Sequence, residues 1–177
     1  MRAGCREDPR NLSDIPMGKE IHCRIELRPY SDADQQRLVE ILRMNVPKYF
    51  CDNDVLDFEQ YLHDKMWDRH WVFLDRNRLV IGCASCYWRA PSVVGLSWMF
   101  FEPFRVGSRA IRPWMEEYFS IIVHDLCSDG NVTLALNTIP RVAKFMHRFG
   151  FNAVETIKDG YGPGYDKVYM ERKMNVS

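Results

Sequence analysis

The chain has 177 residues, with Lys plus Arg and Asp plus Glu balanced at 24 each. That length suits one domain with a real core better than two, and the neutral balance gives no overall attraction to nucleic acid or to an acidic membrane surface. Apolar residues at 46% and charged residues at 27% exclude a disordered, collagen-like or disulfide-scaffolded chain.

Spanning a bilayer takes about 20 consecutive apolar residues, and the longest apolar run, Val93 to Phe101, stops short of that at Glu102-Pro103. Met1 to Glu20 carries scattered charge without an apolar stretch, so residues 1–22 read as a polar N-terminal extension and not as a secretory signal. Residues 23–177 then form a single domain, and the expected location is cytoplasmic, with no membrane partner. Of the six cysteines only Cys83 and Cys86 have a suggestive spacing. A zinc site would need a second ligand pair, which the sequence lacks. In a strand, residues three apart also point to opposite faces, so buried, reduced thiols and no metal are expected.

Arg24 to Arg28 alternates around Ile25 and Leu27 and ends at Pro29, which suits a strand. Ser31 and Asp34 then open a helix as cap and dipole partner, with Leu38, Val39, Ile41 and Leu42 as its apolar face and Asn45-Val46-Pro47 as its stop. Val55, Phe58 and Leu62 predict a second helix from Asp54 to about Asp64. His70 to Leu74 and Arg78 to Trp88 predict two strands around the turn Asp75-Arg76-Asn77, and the nearly unbroken apolar run Val93 to Phe101 predicts a central one.

Ser108 to about Leu126 has helical periodicity through Ile111, Met115, Tyr118, Phe119 and Ile122, although Pro113 is expected to kink it or move its start towards Arg112. Val132 to Leu136 reads as a short buried strand. Pro140 to Phe149 reads as a helix with proline in its first turn and Gly150 just past its end. Asn152 to Lys158 and Lys167 to Arg172 form a closing pair of strands around a Gly/Tyr-rich loop, with Tyr169 expected in the core. The order βαα-βββ-αβ-αββ defines an α/β (mixed α+β) domain, one sheet with helices on both faces.

Two passages carry more than secondary structure. Ser97-Trp98-Met99-Phe100-Phe101-Glu102-Pro103-Phe104-Arg105-Val106-Gly107-Ser108-Arg109-Ala110 leads from the central strand into a helix, and its end, Arg105 to Ala110, has the backbone N–H groups and helix dipole of an anion site. Asn137-Thr138-Ile139-Pro140-Arg141-Val142-Ala143-Lys144-Phe145-Met146-His147-Arg148-Phe149-Gly150-Phe151 spans a strand end and the next helix. In order and spacing these passages resemble the Arg/Gln-x-x-Gly-x-Gly/Ala and Asn-x(n)-Ala-x-x-(Phe/Leu)-Tyr-x-x-x-Gly-Phe segments of the GCN5-related N-acetyltransferases. The resemblance runs from about Ile25 to Met174.

It implies the acyl-CoA N-acyltransferase fold, a mostly antiparallel central sheet flanked by helices on both faces. It also implies acetyl-CoA as cosubstrate and a small-molecule or peptide amine as acceptor, and it admits a homodimer. Met99, Phe100, Phe101, Arg105, Val106, Gly107, Ser108, Arg109, Ala110, Ile111, Asn137 and Lys144 are the implied CoA-binding positions, with a backbone N–H of Met99 to Phe101 facing the oxyanion. The sequence departs from the family pattern at Ser108, where glycine is usual, and at Met146, where many members carry a tyrosine that protonates the departing thiolate.

A thioether cannot donate that proton. A thiol of pKa about 8.5 leaves with little help, however, while an amine near 10.4 must first lose a proton, so the base matters more than the acid. Glu102, Tyr161 and Tyr165 are the candidate catalytic groups, each balanced against a plain reading as strand-end carboxylate or loop aromatic. Trp67, Trp71 and Trp88 are candidates for an acceptor pocket or for the core, and His147, beside Met146 on the helix, is expected to face solvent. Met146 and Ser108 also motivate a second reading, a catalytically degenerate acyl-CoA-binding module. A nucleic-acid role has no support in the charge balance or in a phosphate-loop motif.

Overall fold

The computed structural model describes residues 26–65, 69–103, 108–126 and 131–175. The expectations for residues 1–22, Trp67, Arg105, Val106 and Gly107 therefore lie outside the described residues. The elements follow the predicted order: β1 Glu26–Pro29, α1 Gln35–Met44, α2 Asp52–His63, β2 Arg69–Leu74, β3 Val80–Ala90, β4 Val93–Phe101, α3 Ser108–Leu126, β5 Asn131–Thr138, α4 Pro140–Met146, β6 Asn152–Ile157 and β7 Lys167–Asn175. They build one seven-stranded sheet in the order β1-β2-β3-β4-β5-β7-β6, with β4 at its centre as its apolar run predicts. Every pairing is antiparallel except β4 with β5.

Local chemistry explains the boundaries. The Asp34 carboxylate accepts the Ser31 backbone N–H at 2.9 Å, closing the turn that starts α1, and Asp54 does the same for Cys51 at the start of α2. The β2–β3 hairpin closes because Asp75 Oδ1 accepts the N–H groups of Asn77 and Leu79, both at 2.9 Å. Gly150, at φ +76°, ends the helical segment after Phe149 in the left-handed conformation that glycine adopts without strain.

The helix α3 spans Ser108–Leu126 as its periodicity predicts, with Pro113 inside it, so its start is not moved to Arg112. The proline sacrifices one backbone bond near the helix start. Burial of Trp114, Met115, Tyr118, Phe119 and Ile122 in the main core outweighs that loss.

Strand alternation divides the core in two. Ala84, Cys86, Val94, Leu96, Leu134, Leu136, Val168 and Met170 face α3 and α4. Cys83 and Phe100 face α1 and α2, together with Leu38, Leu42, Phe58 and Leu62. Cys83 and Cys86 thus lie on opposite faces, both fully buried, and burial raises the Cys83 thiol pKa well above its ordinary value. Tyr169 does not join the core as expected: its neighbours Val168 and Met170 take the covered face, leaving it half-buried on the other. Among the described residues no helix is long and apolar enough to cross a membrane.

The start of α1 is pinned to β1 by an ion pair, with both Asp34 oxygens 2.7 Å from the Arg28 guanidinium. Burial works to raise the Asp34 pKa, but the hydrogen bonds from Arg28 and Ser31 outweigh it, and the carboxyl sits below its ordinary value. A lowered folded-state pKa stabilises the fold above the unfolded value of about 4, and that contribution is lost as pH falls through the folded value. Asp34→Asn is expected to cost about 1–3 kcal/mol at neutral pH. It should also flatten the acid side of the stability profile, measured as Tm between about pH 2.5 and 7.

Candidate active site

The parallel pair β4 and β5 is joined through only three rows, Val93 with Thr133, Val94 with Leu134 and Gly95 with Ala135. Past Gly95 the strands part, so Leu96 to Phe101 and Leu136 to Thr138 form the two arms of a V. The bend lies in β4 itself. Its register against β3 jumps between Ser85–Ser97 and Cys83–Phe100, so Trp98 and Met99 together oppose Ala84. That two-against-one count is a β-bulge, which bends and twists the strand that carries it.

Trp98 takes φ +44° there, a left-handed conformation that costs a tryptophan on the order of 1–2 kcal/mol. Side chains of β3 satisfy the carbonyls that the bulge displaces: Ser85 Oγ donates to the Ser97 carbonyl at 3.0 Å, and the Cys83 thiol donates to that of Trp98 at 3.2 Å. Trp98 is held by Phe58 at 5.0 Å, Tyr61 at 5.8 Å and Phe50 at 6.2 Å between ring centroids. At the far end of the arm, Asn45 Nδ2 donates to the Phe101 carbonyl at 2.9 Å, tying β4 to α1.

Beyond the tip of β4, the N-terminus of α3 begins at Ser108. Arg141 of α4 and Lys48 lie 5.8 and 5.1 Å from the ring of Tyr49, which brings the α1–α2 connection to the start of α4 beside the mouth of the V.

On the α1/α2 face, next to the apex, three hydroxyls meet. Tyr61 Oη donates to Ser85 Oγ at 2.8 Å and lies 3.2 Å from Ser97 Oγ, while the two serine oxygens are 3.0 Å apart. With the Tyr61 hydrogen on Ser85 and the Ser85 hydrogen on the Ser97 carbonyl, Ser97 Oγ donates back into the group and keeps acceptor capacity towards the V. Burial raises the Tyr61 pKa, partly offset by its bonds to Ser85 and Ser97. His70, stacked on Tyr30 at 4.8 Å, is driven by burial down to about 4 and is neutral at physiological pH.

The predicted residues fall into distinct places. Phe100 points into the α1/α2 core, and Met99, Phe101 and Ile111 pack against the other core, so Met99 to Phe101 reach the V through their backbone. Asn137 lies exposed on the β5 arm, and Lys144 and His147 are exposed on the helical segment that follows. Met146 is buried, 1% exposed, in the main core.

Glu102 does not stand alone at the strand end. Its Oε2 pairs with Arg37 at 2.8 Å, its side chain 16% exposed, and its N–H binds the Ile81 carbonyl. Tyr161 and Tyr165 sit together in the 158–166 turn, joined by a 2.9 Å backbone bond and both half-exposed. Burial, with the nearby Asp54 carboxylate and Tyr87 hydroxyl, lifts the Tyr161 phenol to about 12. Trp71 is a core residue, whereas Trp88, in the outer part of β3, is exposed and lies outside the core.

Sequence reasoning passed over Tyr61, Ser85 and Tyr87, and gave Ser97, where the first signature passage opens, no role of its own. The available signal was a lone serine at an inward position of each of two otherwise apolar strands. Among the described residues no three His, Cys, Asp or Glu side chains converge as metal ligands.

No family profile and no curated sequence matches the chain, whereas solved structures match it over most of its length. A GCN5-related N-acetyltransferase from Kribbella flavida is similar at TM-score 0.64 and 18% identity, over 85% of this chain and 98% of that one. The spermidine N-acetyltransferase of Vibrio cholerae, solved with CoA and spermine, gives 0.63 and 14%, over 85% and 95%. The aminoglycoside N(6')-acetyltransferase of Legionella pneumophila gives 0.66 and 14%, over 86% and 92%. The chain has the fold of the GCN5-related N-acetyltransferases, a mixed sheet opened between its central parallel strands.

Gly82 keeps β3 against the bulged arm of β4. A Cβ there would press into the Phe100 carbonyl oxygen and lie 2.8 Å from the Phe101 ring. Because backbone has to move, Gly82→Ala is expected to cost about 2 kcal/mol or more, read as a fall in Tm of roughly 5 °C or more in a thermal scan.

Proposed function

We propose that this protein is an acetyl-CoA-dependent N-acetyltransferase that acts on a primary amine by direct attack. The observation that carries the reading is the parting of β4 and β5 after three paired rows. The ladder groups of β4 that β5 no longer meets suit the amide-bearing pantetheine arm, and the α3 N-terminus beyond the tip of β4 suits its diphosphate. The residues assigned to the cosubstrate are the backbone of Met99, Phe100 and Phe101, the segment from Arg105 through Ile111, and Asn137 and Lys144 on the opposite arm. Bound there, the thioester supplies an activated acetyl group.

The amine nitrogen forms a bond to the carbonyl carbon, the carbon–sulfur bond breaks with its electron pair going to sulfur as thiolate, and the proton lost by the amine passes to water. Ser97 Oγ, held by Ser85 and Tyr61, accepts an amine N–H and aims the lone pair at the carbon. Backbone N–H groups of the bulged arm face the charge that builds on the carbonyl oxygen. Glu102 we assign to positioning: its pair with Arg37 ties the end of β4 to α1. Tyr161 remains a neutral phenol below about pH 12 and so serves as a hydrogen-bond donor and not as the base. With Met146 buried in the core, sulfur leaves as the thiolate, which its pKa of about 8.5 permits.

That burial also favours a second reading, an acyl-CoA-binding module without turnover, and one pair of measurements separates the two. CoA at about 100 times its Kd stabilises a protein by about 2.7 kcal/mol, so both readings expect a clear rise in Tm. Only the enzyme releases thiol from acetyl-CoA when an amine is added. No response to millimolar CoA would remove both. For the enzyme, Ser97→Ala is expected to lower kcat/KM about tenfold or more, with partial rescue in Ser97→Thr. Unchanged kinetics in Ser97→Ala would remove the role given to the hydroxyl cluster.

A further inference from the structure

The α1/α2 face of the sheet is covered by helices over β2, β3 and β4. Next to that cover the sheet carries its smallest side chains. Gly95 and Ala135 stand opposite each other in register at the apex of the V. Gly95 is required by its neighbour: a Cβ on it would come within 2.5 Å of Cζ in the Tyr87 ring, so the ring lies directly over the β4 backbone.

Tyr169, beside Asn137 in the β5–β7 ladder, presents a second ring on the same face, half-buried. Tyr161, in the turn, is a third: Lys167, two residues before Tyr169 in β7, reaches its ring, and burial, with Asp54 and Tyr87 nearby, raises the pKa of its hydroxyl.

These rings already collect cations. The Arg89 guanidinium lies 4.5 Å from the centroid of Tyr169, and Lys167 Nζ lies 5.7 Å from that of Tyr161. Both are the range in which an electron-rich ring face attracts positive charge. Carboxylates reinforce it: Glu171 accepts the Tyr169 hydroxyl at 2.6 Å, which makes that ring more electron-rich, and Glu155 stands opposite Tyr169 in the β6–β7 ladder. Arg89 is an exposed side chain, and its long stem can yield the ring face to an incoming ammonium.

We propose that Tyr87, Tyr161 and Tyr169 form a cation-accepting subsite beside the apex, which selects an amine acceptor carrying a second, positively charged nitrogen, of the diamine or polyamine class. The inference rests on the transferase reading for the fate of the first nitrogen, which has to lose its charge to react. The second keeps its charge and is held on the ring faces. The phenol of Tyr161 stays protonated up to about pH 12, so that ring acts through its π face throughout the range in which an amine is acetylated.

The test uses a cation that cannot be acetylated on nitrogen. Choline and its uncharged carbon isostere 3,3-dimethylbutan-1-ol are titrated into the full-length chain by calorimetry or ligand-observed NMR. Choline is expected to bind about tenfold more tightly than the alcohol. The ratio should fall towards one in Tyr87→Leu and persist in Tyr87→Phe, which keeps the ring. Should Tyr87→Leu fail to fold, Tyr161→Leu, on the exposed turn, takes its place with the same expectation.

Equal binding of the two probes, no saturable choline binding up to about 50 mM, or a ratio unmoved by loss of the ring would overturn the subsite. The CoA melting shift, measured on the same preparations, reports the transferase reading separately. Its absence with an intact choline ratio sinks the enzyme and leaves the subsite; its presence with no ratio does the reverse.

Discussion

The opening of β4 away from β5 is the constraint on which the site depends, and it originates in one extra residue. A regular β4 would continue its ladder with β5 past Gly95 and close the sheet. With Trp98 and Met99 set against Ala84 alone, the strand bends, and its outer half is left with backbone groups that no neighbouring strand satisfies. Such groups are costly when buried and dry, so the arms are stable where water or a ligand can reach them. The strain at Trp98 is offset by its packing among Phe50, Phe58 and Tyr61 and by the two β3 side chains that bind the displaced carbonyls. The α1/α2 core therefore holds the cleft open as well as filling space.

Most of the scaffold was readable because each element declares itself over a short window. Val93 to Phe101 reads as central since it is apolar on both faces, and the helix of Pro140 reads from its proline start and glycine end. Where reading failed, the deciding partner was distant. Pro113 left the start of α3 open between Ser108 and Arg112, and the core residues that hold the helix from Ser108 are buried by strands elsewhere in the chain. Tyr169 looks like a core position in a terminal strand, and only the sheet order shows that helices leave its face uncovered.

The site was less legible than the fold, for a related reason. The bulge is a register count between two strands, which no single strand displays. Ser85, Ser97 and Tyr61 are unremarkable apart and become a cluster through hydrogen bonds spanning up to 36 positions. Gly95 likewise means nothing until Tyr87 is seen to lie on it. Glu102, conspicuous as the acidic residue ending the central strand, meets Arg37 across 65 positions. An arginine in the first helix gives no local hint of that. What the two signature passages did convey was the place along the chain of the α3 start and of the β5 arm that parts from β4.

Helix coverage also decides which side of the V an acceptor can approach. Towards α3 and α4 the apex is closed by packed side chains, Val94, Leu96, Leu134, Leu136 and Met146 among them. Towards α1 and α2 the helices' core stops short of β5 and β7, and the side chains there are small or polar: Gly95 and Ala135 are buried, Ser97 is half-buried and Asn137 is exposed. A nucleophile with a charged remainder has to enter on that second side, since burying an ammonium against the aliphatic core without a partner is costly. On the proposed transferase reading, two substrates would meet at one apex from different directions, the acyl donor along the arms and the acceptor over the tyrosine-lined face. Direct transfer requires that geometry, because no side chain has to carry the acyl group between them.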